Sequence, residues 1–117
     1  MRLLRFDPDV SHRITHYGSS FLHIFLSRAS GDVRVSCMHF SAGDHVGYHE
    51  ALLPQLFAVV VGEGWVQADG EKIAITPGVA AFWEAGEWHA AGSDTSMTAI
   101  VVEAERIDMQ SLPELQP

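Results

Sequence analysis

Cysteine is nearly absent from this chain. Its 117 residues include one, Cys37, so no internal disulfide can form and no Cys-x-x-Cys pair exists for zinc or redox chemistry. No apolar run approaches the roughly 20 residues that cross a bilayer. Residues 1–8 hold two arginines without the long apolar stretch of a signal peptide behind them. We therefore expect a cytoplasmic protein with no membrane partner.

Basic residues are also scarce. Seven Lys and Arg face 15 Asp and Glu, which gives a formal net charge of −8. A chain of this charge repels phosphate backbones, so nucleic acid is not an expected partner. Hydrophobic residues make up 47% of the chain, enough for one core. We predict a single domain over residues 1–117, with a barrel core over about 20–103, N-terminal strands in 1–19 and a C-terminal tail in 104–117.

Helical periodicity is the third feature in short supply. Short runs of β-branched and aromatic residues alternate with Gly, Pro, Asp and Ser, and Asp69-Gly70 is typical of a tight hairpin turn. This pattern predicts an all-β sandwich or barrel, with one weak helix over Ala104–Leu112. The predicted strands cover residues 21–28, 33–40, 56–61, 65–68, 73–76, 79–84, 88–91 and 97–103.

Histidine is the residue type that carries most of the chemical information. The chain has seven, and a neutral imidazole is both the commonest metal ligand and a general base near pH 7. His49 and His89 lie in glycine-punctuated segments at strand ends. His49-Glu50 does not begin a zincin helix, because Leu53 stands where the second histidine is required.

The spacing around these two histidines resembles the two motifs of the cupin superfamily. The first cupin motif has Gly, five residues, His-x-His, three or four residues, Glu, six residues and Gly. The second has Gly, five residues, Pro-x-Gly, two residues, His, three residues and Asn. The positions on the first frame are Gly43, His49, Ala51, Gln55 and Gly62, and those on the second are Gly78, Glu84, Gly86, His89 and Ser93.

The resemblance implies a jelly-roll barrel, the double-stranded β-helix of cupins, with a cavity at one end. The family's metal site uses three His and one Glu, whereas Ala51 and Gln55 replace two of those ligands here. His49, Gln55 and His89 remain as a site for a divalent Fe, Mn, Ni or Zn ion. These three neutral ligands leave the ion's charge uncompensated, so binding should be weaker than in a complete site. A metal-free pair of histidines bridged by Gln55 is the alternative.

Further side chains flank these positions. His45, Glu50 and Glu84 are candidate additional ligands. The aromatic residues Tyr48, Phe57, Trp83 and Trp88 are predicted to line the cavity, which would suit a small, partly apolar ligand. Strand alternation puts Gln55 and Phe57 on one face.

Three functions fit this sequence. The first is a small-molecule-binding cupin whose metal site lacks two of the family's four ligands. The second is a metal-dependent cupin enzyme of dioxygenase or isomerase type, acting on a small, partly apolar substrate. The third is a module that only mediates dimerisation. By analogy with small cupins we also expect a homodimer.

Overall fold

The prediction of an all-β fold is confirmed. The computed structural model describes residues 1–116, and over that span the regular structure is strands apart from two short 3-10 turns, at Pro8–Val10 and His16–Gly18. The strands are β1 (Arg2–Arg5), β2 (His12–Ile14), β3 (Phe21–His23), β4 (Arg28–Ser41), β5 (His45–Glu50), β6 (Gln55–Ala68), β7 (Glu71–Ile75), β8 (Val79–Trp83) and β9 (Trp88–Asp108).

The long strands β6 and β9 organise the jelly-roll barrel. They pair with each other in antiparallel register from Gln55↔Glu103 to Gln67↔Ala90. At one end β8 and β1 extend the sheet beyond β6, and β4 extends it beyond β9; at the other end β7 and β5 take those positions. Both ends contribute to one apolar core, which includes Phe57, Trp83 and Met97. The two halves therefore fold over a shared interior.

The continuous apolar run at the start of β6 is explained by burial on both faces. Phe57 and Val59 face the central core. Leu56 and Ala58 face a second cluster, which is covered by residues of the C-terminal segment such as Leu112. A strand covered on both sides has no polar face to expose, so its sequence does not alternate.

β6 also passes through a segment that the sequence predicted as a break. Gly62-Glu63-Gly64 lies within the strand, where the register with β9 shifts between Val59 and Val61 and again between Glu63 and Trp65. Gly62 has φ +74°, and a Cβ there would collide with the carbonyl oxygen of Ser96. Glycine thus lets the two strands bend together without separating.

The prediction of a helix over Ala104–Leu112 is wrong. β9 continues to Asp108, where its partner is Arg28 of β4. Beyond it the chain runs back to the first strand, and the Leu115 amide donates to the Leu3 carbonyl at 2.8 Å. An available strand partner outweighs the weak helical preference of this segment.

Two other strand boundaries differ from the prediction. The expected strand over residues 21–28 ends at His23. The expected turn over residues 29–32 lies inside β4, where the register shifts between Ser30 and Val33. No helix over residues 1–116 is long and apolar enough to cross a membrane.

Replacing Gly62 by alanine should destabilise the barrel more than the same change at Gly43. Both glycines have positive φ, which costs alanine about 1–2 kcal/mol. A Cβ at Gly43 meets no atom within 4 Å, whereas one at Gly62 meets backbone. Urea unfolding of both variants gives the comparison, and equal losses of unfolding free energy would contradict this account of the bend.

Candidate functional site

A row of three side chains crosses one end of the barrel. Gln55 on β6 is the register partner of Trp83 on β8 and also of Glu103 on β9. Directly opposed residues of neighbouring strands project to the same side of a sheet, close enough to interact. Phe57 follows Gln55 on that face by strand alternation. An amide, an indole and a carboxylate are thereby set side by side.

Two histidines lie together next to this row. His49 on β5 and His89 on β9 are register partners, and their ring centroids are 4.4 Å apart. His49 Nδ1 is 2.7 Å from the carbonyl oxygen of Gly47, and His89 Nδ1 is 3.4 Å from that of Glu87. Because a carbonyl only accepts, the neutral form of each ring carries its proton on Nδ1 and keeps the lone pair on Nε2.

These residues surround a cavity of about 160 Å³. A cleft of about 260 Å³ adjoins it on the side of the β5–β6 connection. Four polar side chains line both spaces, and the remaining cavity wall is apolar. The shared residues are His49, Gln55, His89 and Glu103, and the apolar wall consists of Met38, Val46, Phe57, Trp83 and Ala91.

His89 is held as a neutral imidazole. It is 3% exposed and stacks on Trp83 with ring centroids 4.4 Å apart. Burial is the largest effect and lowers the pKa of His89. The hydrogen bond to the Glu87 carbonyl, the next largest, raises it, the neighbouring His49 lowers it, and the charges of Glu103 and Glu87 raise it least. A neutral His89 can accept a hydrogen bond or bind a metal through Nε2.

Trp83 has a buried donor without a partner. Its side chain is fully buried between His89 and Phe57, whose ring centroid is 6.0 Å away. The indole Nε1 makes no hydrogen bond to any described residue. Leaving a buried donor unpaired costs about 1–3 kcal/mol.

Tyr48 and Trp88 do not line the cavity, contrary to the prediction. Each directly precedes one of the facing histidines, so strand alternation turns it to the opposite side. They pack on each other at 5.6 Å between centroids and are 48% and 50% exposed. Phe57 and Trp83 do line the cavity.

The three candidate additional ligands lie in three different places. His45 lines a separate surface pocket together with Tyr48, and its Nδ1 is 3.2 Å from the Gly43 carbonyl oxygen. Glu84 is exposed and borders another groove. Glu50 alone reaches the cleft beside the histidine pair. His45 and Glu84 therefore do not lie beside the histidine pair, contrary to the prediction that they are additional ligands.

Glu103 is the cavity residue that the sequence reasoning missed. It ends a predicted strand whose residue Val101 is fully buried. Two residues further on, alternation turns Glu103 to the same interior face. The sequence contained a signal for this residue, namely a carboxylate at a position that strand alternation turns toward the core.

The site offers fewer metal ligands than the complete cupin site does. Over residues 1–116 no three His, Cys, Asp or Glu side chains are grouped to hold an ion. Ala51, at the position of the family's second histidine, is 5% exposed and offers no ligand atom. Two imidazoles with free Nε2 atoms and the neighbouring amide of Gln55 form the donor set.

Comparison with known proteins identifies the fold. No family sequence profile and no curated protein matches this chain. Among solved structures, a cupin superfamily protein from Desulfitobacterium hafniense has 23% identity and a TM-score of 0.60, covering 69% of this chain and 77% of its own. KdgF from Halomonas sp. has 24% identity and a TM-score of 0.57, covering 68% and 76%. A predicted oxalate decarboxylase from Thermotoga maritima has 22% identity and a TM-score of 0.56, covering 72% and 68%.

The chain therefore has the fold of a small cupin, which confirms the family resemblance at the level of structure. Its neighbours in structure include enzymes and proteins without a stated reaction. At these identities the likeness establishes the barrel and leaves the activity to be argued from the site.

The stability of the protein should fall in acid because His89 is buried as a neutral group. Its pKa in the folded state lies below the ordinary 6.5, so below that pH the unfolded chain binds a proton that the folded chain refuses. The free energy of unfolding should drop by up to about 1.4 kcal/mol per pH unit until the folded pKa is reached. Urea titrations with EDTA at about pH 7.5 and about pH 5.5 measure it.

His89→Gln should flatten this dependence. The exposed His16 provides the control, and His16→Gln should keep the wild-type slope. An unchanged slope in His89→Gln would contradict the assignment.

Proposed function

We propose that this chain is a small-molecule-binding protein of cupin fold whose cavity contains a divalent metal held by His49, His89 and Gln55. The observation that carries the proposal is the histidine pair, with ring centroids 4.4 Å apart and both Nδ1 atoms directed at backbone carbonyls. Metal-binding histidines commonly have their second nitrogen fixed in this way, which leaves Nε2 for the ion.

The charge of the site favours a divalent ion more than the ligand set alone does. Three neutral ligands leave the +2 charge of an ion uncompensated in a partly apolar barrel. Glu103 lines the same cavity and supplies a negative charge nearby. Imidazole suits Zn, Ni and Fe, and an amide oxygen suits harder ions such as Mn. When bound, the ion supplies Lewis acidity toward an oxygen atom of the ligand.

The walls of the cavity determine the kind of ligand. Met38, Val46, Phe57 and Ala91 give an apolar surface. The polar side chains lie where the cavity meets the outer cleft. A small, partly apolar molecule with a polar end matches this division.

A metal-dependent enzyme is the second candidate. Glu103 favours it, because a carboxylate beside the histidine pair could accept a proton from a bound molecule. Oxygen uptake by metal-loaded protein with catechol-like or diketone substrates separates the two functions, and its absence would leave binding as the role.

We also propose that the chain forms a homodimer through β4. This strand has 14 residues, pairs only with β9 over residues 1–116, and is exposed along most of its length. Val33 and Val35 on it are 42% and 66% exposed. A long exposed edge strand is a template for another strand, and a second copy supplies an identical edge in antiparallel register.

Metal content tests the proposed site. Protein purified without an affinity tag should retain Fe, Mn, Ni or Zn by elemental analysis. His49→Ala and His89→Ala should each lower the affinity for metal by about 100-fold. This is the upper end of the range for changes to the groups around a metal ligand, and losing the ligand itself costs at least as much. Gln55→Glu should raise affinity, because a carboxylate compensates the charge of the ion.

The matched control is His45→Ala, which removes an exposed histidine from a separate pocket. It should bind metal as the wild type does. Metal retained when both His49 and His89 are replaced would overturn the site. A wild-type protein that takes up none of the four metals would favour the alternative, a metal-free pair of histidines bridged by Gln55.

The dimer predicts a monomeric variant. Val35→Lys puts a charge on the exposed face of β4 and should halve the mass measured by light scattering after size exclusion. Val61→Lys is the control, since Val61 is 62% exposed on β6. A wild type that is monomeric at all concentrations, or a Val35→Lys dimer, would contradict the role of this strand.

A further inference from the structure

The row of side chains that crosses the end of the barrel continues onto β4. Glu103 on β9 is the register partner of Arg34 as well as of Gln55. Directly opposed residues of neighbouring strands project to the same side of a sheet, so Arg34 projects to the side that carries the cavity. Alternation along β4 agrees, because the register is unbroken from Arg34 to Met38 and Met38 lines the cavity. A basic side chain therefore stands beside Glu103 at the edge of the cavity mouth.

Neither charge of this pair is taken up by the protein itself. Over residues 1–116 the one ion pair of Arg34 is with Asp32, whose Oδ2 is 3.8 Å from Nη2, beyond hydrogen-bond distance. These two side chains are 76% and 68% exposed, so their contact contributes little. Glu103 forms no ion pair within the same span. A guanidinium and a carboxylate are thus both available to a ligand.

Two adjacent groups of opposite charge match a ligand that carries both charges close together. A guanidinium binds a carboxylate through two parallel N–H bonds, and a carboxylate accepts from an ammonium group. A lone carboxylate on the ligand would be repelled by Glu103, and a lone ammonium by Arg34. An α-amino acid carries both groups on one carbon atom, which suits opposed residues whose Cβ atoms lie about 5 Å apart.

The cavity inside this mouth accommodates an apolar side chain. Its volume is about 160 Å³, and Met38, Val46, Phe57 and Ala91 form much of its wall. A cavity of about 150 Å³ holds a molecule the size of benzene, so a side chain the size of that of leucine fits. Glu103 lines both the cavity and the outer cleft. A ligand whose charged end is bound at Glu103 can therefore extend its side chain inward.

We infer that the ligand of this cavity is a zwitterionic α-amino acid with an apolar side chain, whose carboxylate is bound by Arg34 and whose ammonium is bound by Glu103. The inference rests on the proposed small-molecule function and names the ligand class for the same cavity. It makes Arg34 a specificity-determining residue. Pairing of β4 with a second copy uses the backbone edge of the strand and leaves the face that carries Arg34 unchanged.

The test compares leucine with two analogues that each lack one charge. 4-Methylpentanoate keeps the carboxylate and side chain of leucine without the ammonium, and 3-methylbutylamine keeps the ammonium and side chain without the carboxylate. Binding to EDTA-treated protein is measured by proton–nitrogen NMR titration. The variants are Arg34→Gln, Glu103→Gln and the control Arg106→Gln, which removes an exposed arginine that borders a separate groove.

The wild-type protein should bind leucine with a dissociation constant in about the millimolar range expected for so small a ligand. Each analogue should bind at least about 10-fold more weakly, the factor for losing a hydrogen bond between charged groups. Arg34→Gln should lower the affinity for leucine by a similar factor without weakening 3-methylbutylamine. Glu103→Gln should do the same without weakening 4-methylpentanoate, and Arg106→Gln should bind as the wild type does. A merely structural loss would not produce this crossed pattern.

Three results would overturn the inference: no saturable binding of leucine, equal affinity for leucine and both analogues, or an Arg34→Gln variant that loses 3-methylbutylamine as strongly as leucine. Equal affinities would still leave an apolar small-molecule site in place. Elemental analysis of the same protein tests the metal site separately. Selectivity for leucine in a protein that takes up no metal supports the inference and overturns the metal. Metal uptake without that selectivity does the reverse.

Discussion

The antiparallel ladder between β6 and β9 is the constraint on which the rest of the structure depends. It is kept from Gln55↔Glu103 to Gln67↔Ala90 although both strands bend from one half of the barrel into the other. The bend is accommodated by local register shifts at Val60 and at Gly64 rather than by a break. A slip of one residue would turn every side chain of a strand to its opposite face. The same ladder therefore fixes the core and aligns Glu103 with Gln55.

The site combines two different kinds of positioning. Gln55, Trp83 and Glu103 are placed by register across three neighbouring strands. His49 and His89 are placed by the pairing of β5 with β9, beyond a register shift that follows Val46. Ala51 and Gln55 stand where the cupin motif has His and Glu, and both arrangements are set by strand pairing rather than by the identity of those two side chains.

The sequence predicted what depends on local pattern and on motif spacing. His49, Gln55 and His89 were found because the spacing between them follows a frame, and the structure brings them to one cavity. Glu103 was missed because its meeting with Gln55 depends on strand register, which no local pattern gives. Tyr48 and Trp88 were misplaced for the complementary reason, since proximity in sequence to a histidine means the opposite face of a strand. The helix over Ala104–Leu112 failed because a tertiary partner, β4, outweighed a weak local preference.

The histidine pair is held by backbone hydrogen bonds that need no ion. The Ala51 amide donates to the Glu87 carbonyl at 2.8 Å, and the Gly86 amide donates to the Ala51 carbonyl at 2.8 Å. These bonds fasten the segment after His49 to the segment before His89. The two rings therefore face each other beside Trp83 without the help of an ion. The arrangement of the proposed site is therefore set by strand pairing and backbone hydrogen bonds, so its metal binding and its ligand binding can be tested separately.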